Sequence, residues 1–189
     1  MVPMSVEEIA KAVDGRLVAG DGSAIEATET VTDSRQAGSG AVFVAIKGER
    51  VDGHDFVDKV ADQGAAAAIV DHEVACTTMP QIVVEDTVAA LGLLAKHNID
   101  RRRQLPGAFD LIGLTGSVGK TTTKDLLSAL LSTLGPTVAP IGSFNNEIGL
   151  PLTALRVNAD TRFFVAEMGA NHIGEIARLT RIAPPNTVI

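Results

Sequence analysis

A glycine-rich segment at residues 113–121 contains the residue types that bind phosphate. It reads GLTGSVGKT, but Leu114 stands where the general phosphate-binding pattern G-x-x-x-x-G-K-[ST] has its first glycine. The segment lies directly after an apolar run and directly before a helical pattern, which is the context that a phosphate site requires. In such a loop Lys120 supplies positive charge for the β- and γ-phosphates, and the Thr121 hydroxyl holds Mg²⁺. The alternative is a strand-to-helix turn that carries an exposed lysine.

A carboxylate at the end of another apolar run is the second candidate. Glu167 lies in the segment FFVAEMGAN, at the carboxyl end of a predicted strand. Open parallel sheets bind their ligands at this end of the strands, so Glu167 is placed to face a Mg²⁺ ion on a nucleotide. The alternative is a glutamate that is hydrogen-bonded to backbone or solvent. The four histidines are scattered along the sequence, and we therefore predict no zinc site.

Polar segments next to apolar runs are further candidates. TDSR at 32–35 and KGERVDGHDF at 47–56 flank the apolar run AVFVAI at 41–46, so they can converge at one end of a sheet. By pattern alone, their Asp, Ser and Gly residues are typical turn formers. The segment SFNNEIGLP at 143–151 has two adjacent asparagines before a predicted helix, where capping is the alternative to a role in binding.

Hydrophobic patterning predicts alternating strands and helices in the first half of the chain. A capping box formed by Ser5 and Glu8 opens a helix that stops near Gly15. Strands are predicted at 16–19, 25–32, 41–46, 65–70 and 81–85, and helices at 55–63 and from Asp86 to about residue 98.

The second half continues the alternation after residues 100–108, which are rich in charge, Pro and Gly and which we interpret as a linker. Strands are predicted at 109–115, 137–139, 163–168 and 187–189, and helices at 120–134, 150–156 and 174–182. The predicted fold class is α/β, with a small α/β domain at 1–104 and the first part of a parallel-sheet domain with the phosphate loop at 105–189. Because the sequence stops on the predicted strand at 187–189 with no helix after it to cover the sheet, we expect the chain to be part of a longer protein.

Composition argues against several classes of protein. The formal net charge of -7 argues against binding to nucleic acid or to an anionic membrane, and the absence of Trp and Tyr argues against stacking on single strands. The basic run at 101–103 is interpreted as a solvated spacer. No apolar run reaches the length of about 18 residues that a membrane span requires. A single cysteine, Cys76, excludes an internal disulfide and fits a reducing cytoplasm.

The loop and its flanking segments together resemble the Mur ligases, which use ATP to add amino acids to the cytoplasmic peptidoglycan precursor. In that family the loop reads T-G-x-x-G-K-[TS], without the leading glycine of the general pattern. This chain matches it over Thr115, Gly116, Ser117, Val118, Gly119, Lys120 and Thr121, which the resemblance implies to bind ATP. Leu114 is therefore a feature of the family, and the resemblance covers essentially the whole chain.

Flanking segments narrow the resemblance within the family. DSR, GAVFVAIKG and DGHDF resemble the uridine-binding domain of the members that add the third residue and the final dipeptide. GKTTTKD, FNNEIGLPLT and EMGANHIGEI resemble the dipeptide-adding member. The resemblance implies that the carboxylate of UDP-N-acetylmuramoyl-tripeptide attacks the γ-phosphate of ATP. The amine of D-alanyl-D-alanine then displaces phosphate from the acyl phosphate.

The resemblance also implies roles for individual residues. Lys120 and Glu167 would be catalytic, and Thr121 and Glu167 would hold Mg²⁺. The UDP end of the precursor would bind Ser34, Arg35 and His54, and Asn146 would contact the precursor near its diphosphate. We expect a cytoplasmic monomer without nucleic-acid partners or membrane insertion, and weak binding but no turnover by these 189 residues alone.

Three other functions stay open at this point. A sibling Mur ligase that adds the third amino acid is disfavoured by EMGANHIGEI. A kinase or GTPase with a phosphate loop would not explain the uridine-domain segments, and the sequence has no N-K-x-D segment. The third alternative is a module that binds a nucleotide without catalysis.

Overall fold

The computed structural model describes residues 1–20, 22–75 and 79–189, so Cys76 lies outside the described residues. The chain divides into two compact units: an amino-terminal unit, Pro3–Leu94, and a carboxyl-terminal unit, Met1–Val2 with Ala95–Ile189. The functional assignment of residues 1–104 to the UDP substrate and 105–189 to ATP stays a prediction. Within the described ranges, no helix combines the length and the apolar character that crossing a bilayer requires.

The amino-terminal unit is built on a five-stranded sheet. Its elements are β1 (Met4–Ser5), α1 (Val6–Ala12), β2 (Arg16–Val18), β3 (Glu26–Ala27), β4 (Glu29–Val31), β5 (Ala41–Val44), a 3₁₀ helix (Gly53–Phe56), α2 (Val57–Asp62), β6 (Ala67–Val70), β7 (Gln81–Val83) and the start of α3 (Thr87–Gln104). The strand order is β2-β7-β6-β5-β4, in which β4 to β7 are parallel and β2 is antiparallel. β1 and β3 form a separate antiparallel pair.

Burial explains why the central strands have continuous apolar sequences. Every residue of β5 and β6 is buried, as expected for parallel strands that are covered on both faces. Because β4, β5 and β6 are parallel neighbours, the residues that follow them meet at one edge of the sheet. These residues are 32–35 after β4, 45–56 after β5, and 71–72 after β6.

Two predictions for this unit have different outcomes. The capping box is confirmed, since Ser5 Oγ accepts the Glu8 N–H at 3.1 Å where α1 begins. The single strand predicted at 25–32 is wrong, because the chain changes partners there. β3 pairs with β1, β4 pairs with β5, and the intervening Thr28 N–H donates to the Gly40 carbonyl at 2.9 Å.

The predicted linker at 100–108 is also wrong over its first half, because α3 continues to Gln104. Arg102 is 2% exposed, and its guanidinium donates to the carbonyls of Thr161 at 2.9 Å and Ala108 at 3.1 Å. The basic run is therefore not a solvated spacer throughout, since one of its arginines is part of the packed interior of the carboxyl-terminal unit.

The carboxyl-terminal unit contains a four-stranded parallel sheet, as predicted. Its further elements are β8 (Asp110–Leu114), α4 (Lys120–Ser132), β9 (Thr137–Val138), α5 (Gly149–Ala154), β10 (Phe163–Glu167), α6 (Glu175–Ile182) and β11 (Thr187–Val188). The strand order is β11-β8-β10-β9. The two central strands, β8 and β10, run side by side, and both are almost entirely buried.

Candidate functional site

The register of β8 and β10 brings the phosphate loop beside Glu167. Leu114 and Glu167 are the last residues of these two strands, and they are paired across the sheet. Thr115, the next residue, donates a hydrogen bond from its hydroxyl to the Met168 carbonyl at 2.9 Å. The loop is thereby fastened to the end of β10, so its position is set by the sheet.

The loop between β8 and α4 is open to solvent. Gly119 directly precedes α4 with φ of 78°, a left-handed conformation that favours glycine. The loop borders an open cleft of about 330 Å³, and the Val118 side chain is 89% exposed. The residues that line this cleft are Ser117, Val118, Gly119, Lys120, Thr121, Thr122, Ser143, Asn145 and Glu167.

Lys120 is the first residue of α4, and its ammonium lies over the loop. Its Nζ donates to the Gly116 carbonyl at 2.7 Å, in an exposed position. A phosphate in the cleft would compete with this carbonyl for the same ammonium. The positive end of α4, which has 13 residues, adds to the attraction for an anion at this point.

Glu167 has a carboxylate whose two oxygens differ. The side chain is 0% exposed, and Oε1 accepts from Asn145 Nδ2 at 2.9 Å and lies 3.4 Å from the Thr121 hydroxyl. Among the described residues, Oε2 has no hydrogen-bond partner, although it is buried. A buried carboxylate oxygen without a partner is costly, so Oε2 indicates a cation as its natural partner.

Thr121 and Glu167 therefore fit the predicted Mg²⁺ site. Mg²⁺ is bound by hard oxygen ligands and keeps several waters, which suits one carboxylate and one hydroxyl at the edge of an open cleft. The two side chains come from α4 and β10 and meet within hydrogen-bond reach.

Asn145 was missed by the sequence analysis, which selected its neighbour. The Asn145 side chain donates to Glu167, and its backbone carbonyl accepts the Gly169 N–H at 2.9 Å. A Cβ atom at Gly169 would lie 2.6 Å from the Asn145 side chain, so glycine is needed for this close approach. The adjacent asparagines in FNNEIG were the only signal in the sequence, and they do not show which side chain faces the site.

The Asn146 side chain makes hydrogen bonds to the backbone at the start of α5, and not to Glu167. Its Oδ1 accepts the backbone N–H groups of Ile148 at 3.2 Å and Gly149 at 2.8 Å, at the start of α5. Asn146 thus caps the helix, which is the alternative that the sequence left open. Its contact with the precursor stays a prediction.

Lys124 lies one turn after Lys120 in α4 and is 2% exposed. Its ammonium donates to the Pro140 carbonyl at 3.0 Å and lies 2.5 Å from Asp125 Oδ1. The Pro140 carbonyl belongs to the segment that leads from β9 to Asn145. The lysine therefore attaches this segment to α4 and supports the position of Asn145.

A second polar cleft, of about 310 Å³, shares Lys120 and Asn145 with the first. On its border Glu175 Oε2 accepts the N–H groups of Asn171 at 2.7 Å and His172 at 3.2 Å. These backbone hydrogen bonds, that from Asn171 above all, hold the pKa of Glu175 below its ordinary value. The loop after β10 is thus shaped by an ionised carboxylate.

The predicted UDP-binding residues lie at the edge formed by β4 and β5 in the amino-terminal unit. Ser34 is buried, whereas Arg35 is exposed and forms a two-pronged pair with Asp33, with distances of 2.9 Å and 2.6 Å. The hydrogen bond from the Arg35 side chain lowers the pKa of Asp33 to about 2, and the same contact raises the pKa of Arg35.

His54 is buried at the same edge. Its Nδ1 lies 2.6 Å from Asp52 Oδ1, and its backbone N–H donates to the same oxygen at 3.0 Å. The side-chain hydrogen bond to His54 is the main reason that the pKa of Asp52 lies below its ordinary value. His54 also contacts Asp71 and stacks on His72, two residues that the sequence analysis did not connect with it.

Comparison with known proteins identifies two matching family segments. Residues 26–99 match the sequence model described as the catalytic domain of the Mur ligase family, and residues 114–189 match the Mur ligase middle domain. The UDP-N-acetylmuramoyl-tripeptide–D-alanyl-D-alanine ligase of Escherichia coli is 37% identical over 189 residues, which is 100% of this chain and 40% of that protein. The chain thus spans about 40% of the length of this relative.

Solved structures of Mur ligases also match this chain. A crystal structure of MurF from Acinetobacter baumannii matches 98% of this chain and 40% of its own, with a TM-score of 0.88 and 38% identity. A structure of the MurF ligase from Thermotoga maritima in complex with ADP matches 83% of this chain and 35% of its own, with a TM-score of 0.72 and 38% identity. Together with the two family segments and the geometry of the loop, these matches show that the chain belongs to the Mur ligase family.

Proposed function

We propose that the protein carries out the ATP-dependent ligation of D-alanyl-D-alanine to UDP-N-acetylmuramoyl-tripeptide in the cytoplasm. The observation that carries the proposal is the buried Glu167 carboxylate at the end of β10, directly beside the phosphate loop. The names of the relatives support the substrates, and the ADP in the Thermotoga maritima ligase supports the nucleotide. Because the chain spans about 40% of those relatives, the complete reaction is proposed for the ligase that these residues help to form.

The first step joins two anions. An oxygen of the tripeptide carboxylate attacks the γ-phosphorus of ATP, the bond from that phosphorus to the β–γ bridging oxygen breaks, and ADP leaves. Mutual repulsion opposes this approach, so fixed positive charge at the γ-phosphate is expected to supply most of the acceleration. In this chain that charge is the Lys120 ammonium, supported by the N–H groups of the loop and the positive end of α4.

The chain's own residues also prepare a place for the divalent cation. Bound Mg²⁺ would neutralise phosphate charge as the first bond breaks. Thr121 and Glu167 would hold it, with Glu167 offering Oε2 because Oε1 is already engaged by Asn145. Asn145 thus fixes the carboxylate in one orientation before any ligand arrives.

The second step forms the amide. The amine of D-alanyl-D-alanine attacks the acyl carbon of the acyl phosphate, the carbon–oxygen bond to phosphate breaks, and phosphate leaves while the amine loses a proton. For the precursor, we propose that Ser34, Arg35 and His54 bind its UDP end and that Asn146 contacts it near the diphosphate. Arg35 would exchange its pairing with Asp33 for a pairing with phosphate, a ligand that suits its guanidinium geometry.

A chimeric ligase tests the proposal directly. These 189 residues replace the aligned residues of the Escherichia coli ligase, and phosphate release is measured with ATP, precursor and dipeptide. We expect release that requires all three substrates and that is lost when Lys120→Ala is introduced. A folded chimera that binds ATP but releases no phosphate would contradict the ligase proposal. Isothermal titration of the 189-residue chain with UDP-precursor tests the predicted substrate site separately.

A further inference from the structure

Two histidines and an aspartate come together at the edge of the amino-terminal unit. His54 follows β5, and Asp71 and His72 follow β6 directly, so the parallel pairing of these strands places them side by side. One ligand atom from each of the three side chains lies within 4.8 Å of the others. The sequence analysis predicted no zinc site because the histidines are far apart in the chain, and this proximity removes that reason.

One oxygen of the Asp71 carboxylate contacts a nitrogen of each imidazole ring. This oxygen, Oδ1, is 3.3 Å from His54 Nε2 and is hydrogen-bonded to His72 Nδ1. The rings are stacked, with centroids 4.5 Å apart. Imidazole nitrogen and carboxylate oxygen are the donor atoms of many zinc sites that use three protein ligands.

Hydrogen bonds put His54 in the tautomer that a metal ligand requires. The Asp71 backbone N–H donates to Nε2 at 3.1 Å, so Nε2 carries a lone pair and the ring proton lies on Nδ1. Nδ1 in turn faces Asp52 Oδ1 at 2.6 Å. A carboxylate behind the second ring nitrogen is the usual outer partner of a metal-binding histidine, because it fixes the ring and increases its basicity.

The contact between Nε2 and the Asp71 carboxylate favours a cation at this point. In this tautomer Nε2 carries no proton, so Asp71 Oδ1 at 3.3 Å makes no hydrogen bond with it. A positive ion that displaces the Asp71 N–H would attract both atoms. The cluster also contains two carboxylates, Asp52 and Asp71, while Lys47 approaches it only on the far oxygen of Asp52, at 4.0 Å. The negative charge of these two carboxylates is therefore suited to binding a divalent cation.

The geometry requires a small closure around the ion. Zinc bonds of about 2.1 Å in a tetrahedral site place ligand atoms about 3.4 Å apart, which is less than the 4.8 Å limit found here. The side chains of His72 and Asp71 are 63% and 39% exposed, so they can rotate, whereas His54 is held at 5%. One fixed and two adjustable ligands allow the site to contract.

We infer that His54 Nε2, the Asp71 carboxylate and one ring nitrogen of His72 form a binding site for zinc or a similar transition-metal ion. Water would complete the coordination, and Asp52 would orient His54 from outside. The ion would displace the Asp71 N–H from Nε2. This site lies within the amino-terminal unit and shares His54 with the proposed UDP-binding residues, so zinc and the UDP end of the precursor would compete for it. It is distinct from the Mg²⁺ ligands on α4 and β10.

Titration of the 189-residue chain with ZnCl₂, followed by calorimetry, tests the inference. We expect one ion per chain. His72→Ala and Asp71→Asn should each weaken binding at least about tenfold, and Asp52→Asn should weaken it about 10- to 100-fold through the outer contact. His172→Ala is the matched control, because it removes an exposed histidine from the other unit, and its affinity should equal that of the wild type.

The inference would be overturned if the chain did not bind zinc, or if the wild type, His72→Ala and Asp71→Asn bound zinc with equal affinity. Visible absorption of bound Co²⁺ gives a second readout, since a tetrahedral site with two histidines should show it and His72→Ala should lose it. Circular dichroism shows whether each variant is folded. Because the titrations contain neither nucleotide nor precursor, their result does not depend on the proposed ligase function.

Discussion

The carboxyl ends of parallel strands carry polar groups in both units, but the two edges are satisfied in different ways. At the edge of β8 and β10, the buried Glu167 keeps Oε2 without a hydrogen-bond partner among the residues that the structure describes. At the edge of β4 and β5, Asp33 is paired with Arg35, and Asp52 is paired with His54. The first edge leaves one carboxylate oxygen unpaired, whereas at the second edge Arg35 must give up its pairing with Asp33 to bind phosphate.

This difference has an energetic consequence. Burying a carboxylate oxygen without a partner is costly, and Oε2 of Glu167 lacks one, so a cation at this edge is expected to be stabilising. Exposed pairs such as Asp33 and Arg35 are each worth little, so a ligand can replace them without a large loss. Binding at the first edge is therefore expected to stabilise the fold, whereas binding at the second is expected to depend on direct replacement of contacts.

Lys120→Ala is expected to have the largest effect, because it removes the positive charge at the phosphate loop. In the chimeric ligase, turnover should fall roughly 100- to 1000-fold, as is typical for loss of one electrostatic contact to the reacting group. Steady-state phosphate release measures this. Lys11→Ala, an exposed lysine on α1, is the control and should retain normal turnover. Near-normal turnover of Lys120→Ala would mean that the edge of β8 and β10 does not hold the reacting phosphate.

Asn145→Ala should have the next largest effect, because it removes a donor to the buried Glu167 carboxylate. Hydrogen bonds to charged groups contribute about 1.5–3 kcal/mol, so the free energy of unfolding should fall by about that amount. The gain in ATP affinity that Mg²⁺ provides should fall as well, since Glu167 is no longer oriented. Urea denaturation and calorimetry measure the two effects.

Asn146→Ala is the matched control for this change. Loss of a helix cap costs about 1 kcal/mol, and the Mg²⁺-dependent part of ATP affinity should stay unchanged because Asn146 caps α5. If Asn145→Ala and Asn146→Ala changed the Mg²⁺ dependence equally, Asn145 would not be the residue that orients Glu167.

Glu167→Gln should stabilise the protein in the absence of Mg²⁺. An amide left unpaired costs about 1–3 kcal/mol, which is less than a buried carboxylate with one oxygen unpaired, so we expect a gain of about 1 kcal/mol. For a chain of this size that corresponds to a rise in Tm of about 2–4 °C. The same variant should lose the Mg²⁺-dependent gain in ATP affinity. A lower Tm without Mg²⁺ would show that Glu167 is already compensated, and the contrast between the two edges would disappear.

Arg35→Ala, at the edge of β4 and β5, should have the smallest effect on stability. The pKa of Asp33 is lowered from 3.8 to about 2, so the pairing contributes fully above the unfolded value and is lost as the pH falls toward 2. Removing Arg35 should return the pKa of Asp33 toward 3.8, with little change in stability at neutral pH. Carboxyl NMR during an acid titration measures this. An unchanged low pKa would show that another group holds the Asp33 carboxylate.

Local patterns were enough to predict the strand, glycine-rich loop and helix at 109–134 and the strand-end position of Glu167. An apolar strand, a Gly-rich turn and a helix are specified by neighbouring residues, and the parallel arrangement sets which strand ends carry ligand residues. The same reasoning predicted the buried strands β5 and β6 and the helix start at Ser5. These features depend on contacts within a few positions of the chain.

Sequence alone did not distinguish Asn145 from Asn146, or connect His54 with Asp71 and His72. The helix predicted to end near residue 98 continues to Gln104 in α3. Its last turn includes Arg102, which is buried against Thr161, 59 positions away, a contact that the local pattern does not reveal. Each of these features depends on which strands are neighbours and on which backbone atoms approach across the fold. The sequence by itself determined the glycine-rich loop between β8 and α4, the strand-end carboxylate and the α/β class, since short-range periodicity and turn chemistry specify them. Only the tertiary structure decided which oxygen of Glu167 is left for a cation and which histidines meet, because strand order and register bring distant residues together.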